Sequence, residues 1–195
     1  MEEVKVGPGV VVYRENPRGR RMRRAIDVTV AGALALFALP VVLFACLAIF
    51  IEDGRPLFFR QRRIGRFERP FAIVKLRTMR RADCVDRLSP TSPGEPRITR
   101  VGRILRRFSI DELPQLVNVL RGEMSLVGPR PEMPFVVAGY VPWQHLRHLI
   151  TPGVTCIWQT TDRSTLPLHR PEATMLDIAY IRAASPLLDG ALLIR

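Results

Sequence analysis

The chain has 195 residues, 47% of them hydrophobic, and carries 30 Lys+Arg against 18 Asp+Glu for a formal net charge of +12. That balance excludes a disordered basic tail and suits one globular domain with an appendage. Lys5 and Lys75 are the only lysines, so the excess is arginine, whose planar fork pairs with phosphate; the partners expected are anionic, whether phosphorylated substrate, lipid headgroups or nucleic acid. The three cysteines, Cys46, Cys84 and Cys156, are odd in number and far apart, which fits neither a disulfide framework nor zinc spacing and points to a reducing compartment.

Residues 1–22 read as a basic N-terminal tail. A membrane helix is expected over 23–52, because Val28 to Ile51 is apolar on every face over about 24 residues, roughly 36 Å of helix. Arginines flank both ends: Arg18, Arg20, Arg21, Arg23 and Arg24 before, Arg55, Arg60, Arg62, Arg63 and Arg66 after. The positive-inside rule wants both flanks in the cytoplasm, which a straight span cannot satisfy. A re-entrant helix broken at Leu39-Pro40 can, since Pro40 removes a donor and clashes with the carbonyl of Leu36. A kinked spanning helix is the alternative.

Residues 53–195 form the expected compact domain. "LFFRQRRIGRFERPFAIVKLRT" (57–78) alternates apolar and basic positions around a turn at Gly65, a hairpin close to the membrane, with Phe58, Phe59 and Phe67 either at the interface or in the core. "RADCVDRLSPTSPGEP" is a polar, proline-rich loop. "RITRVGRILRRFS" resumes helical periodicity and lines Arg97, Arg100, Arg103 and Arg107 along one face.

"SIDELPQL" (109–116) sets Asp111 and Glu112 behind that arginine run. Ser109 and Glu112 fit a capping box, in which Glu112 reaches back to the Ser109 amide and has no chemistry. The other reading makes the pair catalytic, kept ionised by a helix N-terminus before a helix that stops at Gly122. Arg130, between Pro129 and Pro131, is presented from a stiff loop and suits a phosphate clamp. His145 and His148 share a helical face, but no carboxylate or cysteine accompanies them in the pattern, which favours packing over metal binding.

"PLFFRQRRIGRFERPFAIVKLRTM", "RITRVGRILRRFSIDELPQLVNVLRGEMSLVGPRPE" and "ITPGVTCIWQ" resemble the sequence blocks of the bacterial sugar transferases, the monotopic phosphoglycosyl transferases. The resemblance implies transfer of a sugar-1-phosphate from a UDP-sugar to polyprenyl (undecaprenyl) phosphate with release of UMP, the initiating membrane step of a surface glycan or exopolysaccharide. By similarity Asp111 is the nucleophile that forms a phosphosugar-aspartyl intermediate, and Glu112 binds Mg²⁺. Lys75, Arg77, Arg130, Gln159 and Arg163 bind substrate phosphate, with Arg100 and Arg103 as weaker candidates. The implied location is the bacterial inner membrane, monotopic and facing the cytosol, among anionic lipid headgroups; a homo-oligomer stays open. Three positions depart from the family pattern: Leu39 where serine often precedes the proline, and Cys156 and Asp162 where glycine is usual.

The fold class expected is α+β, predominantly helical, with a small sheet near the membrane face. Two rival functions stand beside the enzyme. A basic nucleic-acid-binding protein would explain the arginines but neither the apolar run nor the lack of stacking aromatics. A catalytically degenerate membrane-surface scaffold would keep the same blocks without turnover.

Overall fold

The computed structural model describes residues 2–5, 11–14, 17–80, 95–161 and 171–194. A hairpin of β1 (Glu2–Lys5) and β2 (Val11–Arg14) opens the chain, and helix α1 runs from Pro17 to Asp53. Residues 17–22, inside the expected basic tail, belong to α1, which starts six residues before the expected boundary. Pro17 suits a helix start, and Gly54, at φ 65, ends it in the left-handed region with its N–H on the Phe50 carbonyl. The break expected at Pro40 is absent as a break in helical structure: α1 carries Pro40 inside it. Losing one donor within so long a helix costs a single backbone hydrogen bond, which helix interiors in apolar surroundings tolerate.

Only Asp27, Ala31, Ala45 and Ile49 are buried along α1. Leu36, Phe37 and Phe44 are 70%, 78% and 74% exposed. This overturns a core helix of a soluble protein, because so continuous an apolar surface needs something apolar to cover it. Both ends of α1 nevertheless dock on the domain. Asp27 accepts from Ser125 Oγ and the Leu126 amide, both at 3.0 Å, while Arg24 binds the Val119 and Leu120 carbonyls. At the other end Glu52 accepts from the amides of Arg100 and Val101 at 2.8 Å, closing the N-terminus of the next helix.

β3 (Phe58–Ile64) and β4 (Pro70–Leu76) pair antiparallel around Gly65, with a 3₁₀ turn at Arg66–Glu68. The expected hairpin is thus present. Phe58 and Phe67 are exposed and Phe59 is half-buried, so none of the three is a core residue. Helix α2 (Arg100–Arg107) follows, capped by Thr99, whose side chain accepts from the Gly102 amide at 2.9 Å. Arg97 lies outside this helix and pairs with Glu95, so the arginine stripe shortens to Arg100, Arg103 and Arg107.

A 3₁₀ segment, Ile110–Gln115, leads into α3 (Leu116–Arg121), which stops at Gly122 with φ 83. β5 (Ser125–Val127), α4 (Pro134–Val137), a 3₁₀ segment at Pro142–Leu149, β6 (Gly153–Thr155) and α5 (Ile157–Thr161) complete the middle of the domain. β5 and β6 pair in parallel. Helices α6 (Pro171–Ala183) and α7 (Pro186–Ile194) close the chain. The result is mostly helical, with three two-stranded sheets among the described residues. The main core joins Ala31 of α1 to Leu116, Val119, Met124 and Leu126, and reaches Tyr180 of α6. A second cluster sets Ala45 and Ile49 against Leu76 and Leu105.

The approach of α2 to the end of β4 depends on one missing side chain. A Cβ at Gly102 would stand 2.1 Å from the Thr78 carbonyl oxygen, and backbone cannot yield as a flexible side chain can. Gly102→Ala is expected to destabilise the domain by about 2–4 kcal/mol, read as a lower urea midpoint at unchanged slope.

Candidate active site

Ser109 turns the chain into the site. Its backbone is left-handed at φ 55, ψ 21, and its side chain makes no capping hydrogen bond. Its amide bonds the Arg106 carbonyl, so the reciprocal capping box is not formed. The turn ends α2 and tucks Asp111 and Glu112 inward, leaving them 8% and 7% exposed. Behind them Asn118, fully buried, ties α3 to β4: its Oδ1 accepts from the Val74 amide at 3.2 Å and its Nδ2 donates to the Ala72 carbonyl at 2.8 Å. That cross-brace carries Lys75, next along β4, to the carboxylates.

Glu112 is the hub. Lys75 Nζ donates to its Oε1 at 2.7 Å and Arg130 Nη2 to the same oxygen at 3.0 Å. Gln159 Nε2 reaches Oε2 at 3.3 Å. Burial alone would raise the Glu112 pKa, but the charges and hydrogen bonds of Arg130 and Lys75 overcome it and hold the carboxyl well below the usual range. Asp111 differs. Burial raises its pKa, with the fields of Lys75, Arg106 and Arg130 opposing and the Glu112 charge adding, and none of those cations hydrogen-bonds it. The helix-end ionisation expected for the pair gives way to these contacts, since the segment is a short 3₁₀ turn.

Arg130 is held from several sides. Arg147 Nη2 donates to its carbonyl at 2.7 Å, and its guanidinium lies 6.0 Å from the Trp158 ring. Arg147 is in turn fixed among buried acids, Asp177 and Glu132. Gln159 is oriented by Cys156, whose amide and thiol face its Oε1 at 3.1 and 3.3 Å. Burial pushes that thiol up to about 12, so it stays protonated. The side chain at this usual-glycine position thus packs without a left-handed backbone and steadies the glutamine.

Lys75, Arg130 and Gln159 therefore converge on Glu112, with Asp111 beside them. Arg77 does not join them: its guanidinium binds the Asp53 and Gly54 carbonyls at 2.9 and 2.8 Å and pairs with the Asp53 carboxylate at 2.7 Å, locking the end of α1. Arg100 and Arg103 lie exposed on α2, and Arg106, half-buried on the same helix, is the α2 arginine whose field reaches Asp111. Arg163 and Asp162 fall outside the described residues. Arg106, Asn118 and Arg147 were missed from sequence; only Asn118 carried a signal, as a polar residue within the apolar run LVNVL.

A buried carboxylate pair ringed by lysine and arginine stands in the same domain as a helix whose uncovered apolar surface points to membrane association. The bacterial sugar transferase family profile matches residues 18–195, and the chain belongs to that family and is a transferase. It is 41% identical over 207 residues to the UDP-glucose:undecaprenyl-phosphate glucose-1-phosphate transferase of Caulobacter vibrioides, covering 98% of this chain and 77% of that one. It is 38% identical to an uncharacterised sugar transferase of Bacillus subtilis, over 86% of this chain and 81% of the relative. The UDP-glucose:undecaprenyl-phosphate glucose-1-phosphate transferase of Escherichia coli is 36% identical over 97% of this chain, which spans 42% of that protein.

Proposed function

We propose that this chain transfers a sugar-1-phosphate from a UDP-sugar to polyprenyl phosphate, releasing UMP, through a covalent bond to Asp111. The observation that carries the reading is the unequal pair: Glu112 is held by Lys75 and Arg130 through Oε1 and by Gln159 through Oε2, while Asp111 sits in the same positive field with its oxygens left for chemistry. In the first displacement an Asp111 oxygen bonds the sugar-bearing phosphorus and the bond from that phosphorus to the UMP oxygen breaks. In the second, a polyprenyl phosphate oxygen bonds the same phosphorus, and the Asp111 carboxylate leaves unchanged. No net proton moves in either step. Lys75 and Arg130 supply the positive charge that lets a carboxylate approach a diphosphate.

Glu112 would hold Mg²⁺. Its Oε2 accepts only the long contact from Gln159, so a hard anionic oxygen remains for a cation that prefers such donors and shares its other positions with water and phosphate. Bound there, the ion would neutralise charge on the diphosphate.

A re-entrant membrane seating is part of this reading. Ala31 belongs to the core cluster that includes Ile73, and Ala45 to the one that includes Leu76. Both ends of α1 thus rest on one domain while the exposed apolar stretch between them suits one leaflet. Arg20, Arg21, Arg24 and Arg66 line a cleft at the base of α1 that fits anionic headgroups.

The test is UMP release by the full chain in lipid nanodiscs, with Mg²⁺, undecaprenyl phosphate and a panel of UDP-sugars. UDP-glucose leads the panel because the Caulobacter and Escherichia relatives are named for it. Release that needs the lipid acceptor is expected, with a rate that falls on acidification through an apparent pKa above 3.8, as burial of Asp111 requires. No release with any sugar would leave a scaffold.

A further inference from the structure

His145 and His148 lack a carboxylate in the sequence pattern, and the fold supplies one. The β3–β4 turn, with Phe67 and Glu68 at φ 53 and 60, presents Glu68 to the Pro142–Leu149 segment. Glu68 Oε1 lies 2.6 Å from His145 Nδ1 and 3.7 Å from His148 Nδ1. One ligand atom from each of the three residues falls within 4.8 Å of the others. His148 is buried, and among the described residues neither of its ring nitrogens has a hydrogen-bond partner, an arrangement that costs stability unless something else uses a lone pair.

We propose that Glu68, His145 and His148 form a binding site for a divalent transition metal of the zinc or cobalt class. Two imidazoles and one carboxylate favour such ions over Mg²⁺, which prefers oxygen throughout. Zinc–ligand distances near 2.1 Å put tetrahedral ligands roughly 3.4 Å apart, so the side chains need to close by about 1.5 Å at most. Three protein ligands leave a fourth position for solvent, on the side where the Glu68 side chain is 53% exposed. The neighbouring Arg147 is compensated by Asp177 and Glu132, so it opposes a cation only weakly.

The site shares no ligand with the Asp111–Glu112 pair and does not depend on the transfer reading. An ion there would fasten the β3–β4 turn to the segment that carries Arg147, which holds the Arg130 backbone. The experiment is titration of the untagged full chain, in nanodiscs without Mg²⁺, with Co²⁺ followed by visible absorption and with Zn²⁺ followed by calorimetry. One equivalent with a tetrahedral cobalt spectrum is expected, together with a melting temperature raised by Zn²⁺. Glu68→Gln and His145→Gln alter exposed or half-buried groups and should fold; each is expected to weaken binding at least about tenfold and abolish the melting shift. Asp111→Asn, which strands no cation among the described residues, is expected to leave cobalt binding unchanged. Absent binding, affinity unaltered in both Glu68→Gln and His145→Gln, or loss only in Asp111→Asn would each overturn the proposal.

Discussion

Asp111→Asn is expected to lower UMP release by at least about 10³-fold while leaving the protein folded and membrane-bound. The substitution keeps shape and hydrogen-bonding capacity and removes the anionic oxygen that attacks phosphorus. Among the described residues Asp111 makes no ion-paired hydrogen bond, so its loss strands none of their cations, unlike the loss of Glu112. The decisive readout omits polyprenyl phosphate. Wild-type protein mixed with UDP-sugar should gain the mass of one sugar-phosphate and exchange labelled UMP into the donor, because the first displacement is complete without the acceptor. Asp111→Asn should do neither. Exchange persisting in the variant, or a direct transfer that needs both substrates present, would remove the covalent step and leave Asp111 an electrostatic role.

How much of this was legible depended on the range over which each signal acts. The α1 run, the turn at Gly65 and the stop at Gly122 are local, and the chain alone displays them. Arg77 shows the limit: its neighbours in sequence suggest a phosphate ligand, but Asp53, 24 residues earlier, claims it. Ser109 fits a capping pattern by spacing, yet the turn from α2 into the site needs a left-handed backbone there, and tertiary packing of Glu112 with Lys75 and Arg130 outweighs a local cap. The arginine stripe is present over Arg100, Arg103 and Arg107, but its position relative to the site was not legible. Periodicity identifies which residues share a face, not which face turns inward, and Arg106 rather than Arg100 or Arg103 lies toward Asp111. Glu68 meets His145 across 77 positions, a juxtaposition no pattern within either segment contains.

Glu112→Gln should be the more damaging change to stability, because it leaves Lys75 and Arg130 buried without their shared counter-charge. Removing one partner of a buried ion cluster typically costs about 3–5 kcal/mol, chiefly the penalty of the charges left behind. Lys75→Met should recover part of that loss in the double variant, since burial already pulls the Lys75 pKa down and Glu112 is what opposes the fall. The pH dependence gives an independent check. The folded pKa of Glu112 is depressed, so its contribution is present above the unfolded value near 4.5 and is lost as pH falls through the lower folded value. Asp111 has the opposite sign: its folded pKa is raised, so its ionisation opposes folding above 3.8 and its protonation relieves that cost. Acid unfolding of the wild type should therefore be steep below pH 4.5, and Glu112→Gln should flatten that limb while lowering the urea midpoint at neutral pH. Equal midpoints at neutral pH, with parallel acid limbs, would mean that Lys75 and Arg130 are satisfied elsewhere, and Glu112 would cease to be the residue that holds the cations beside Asp111.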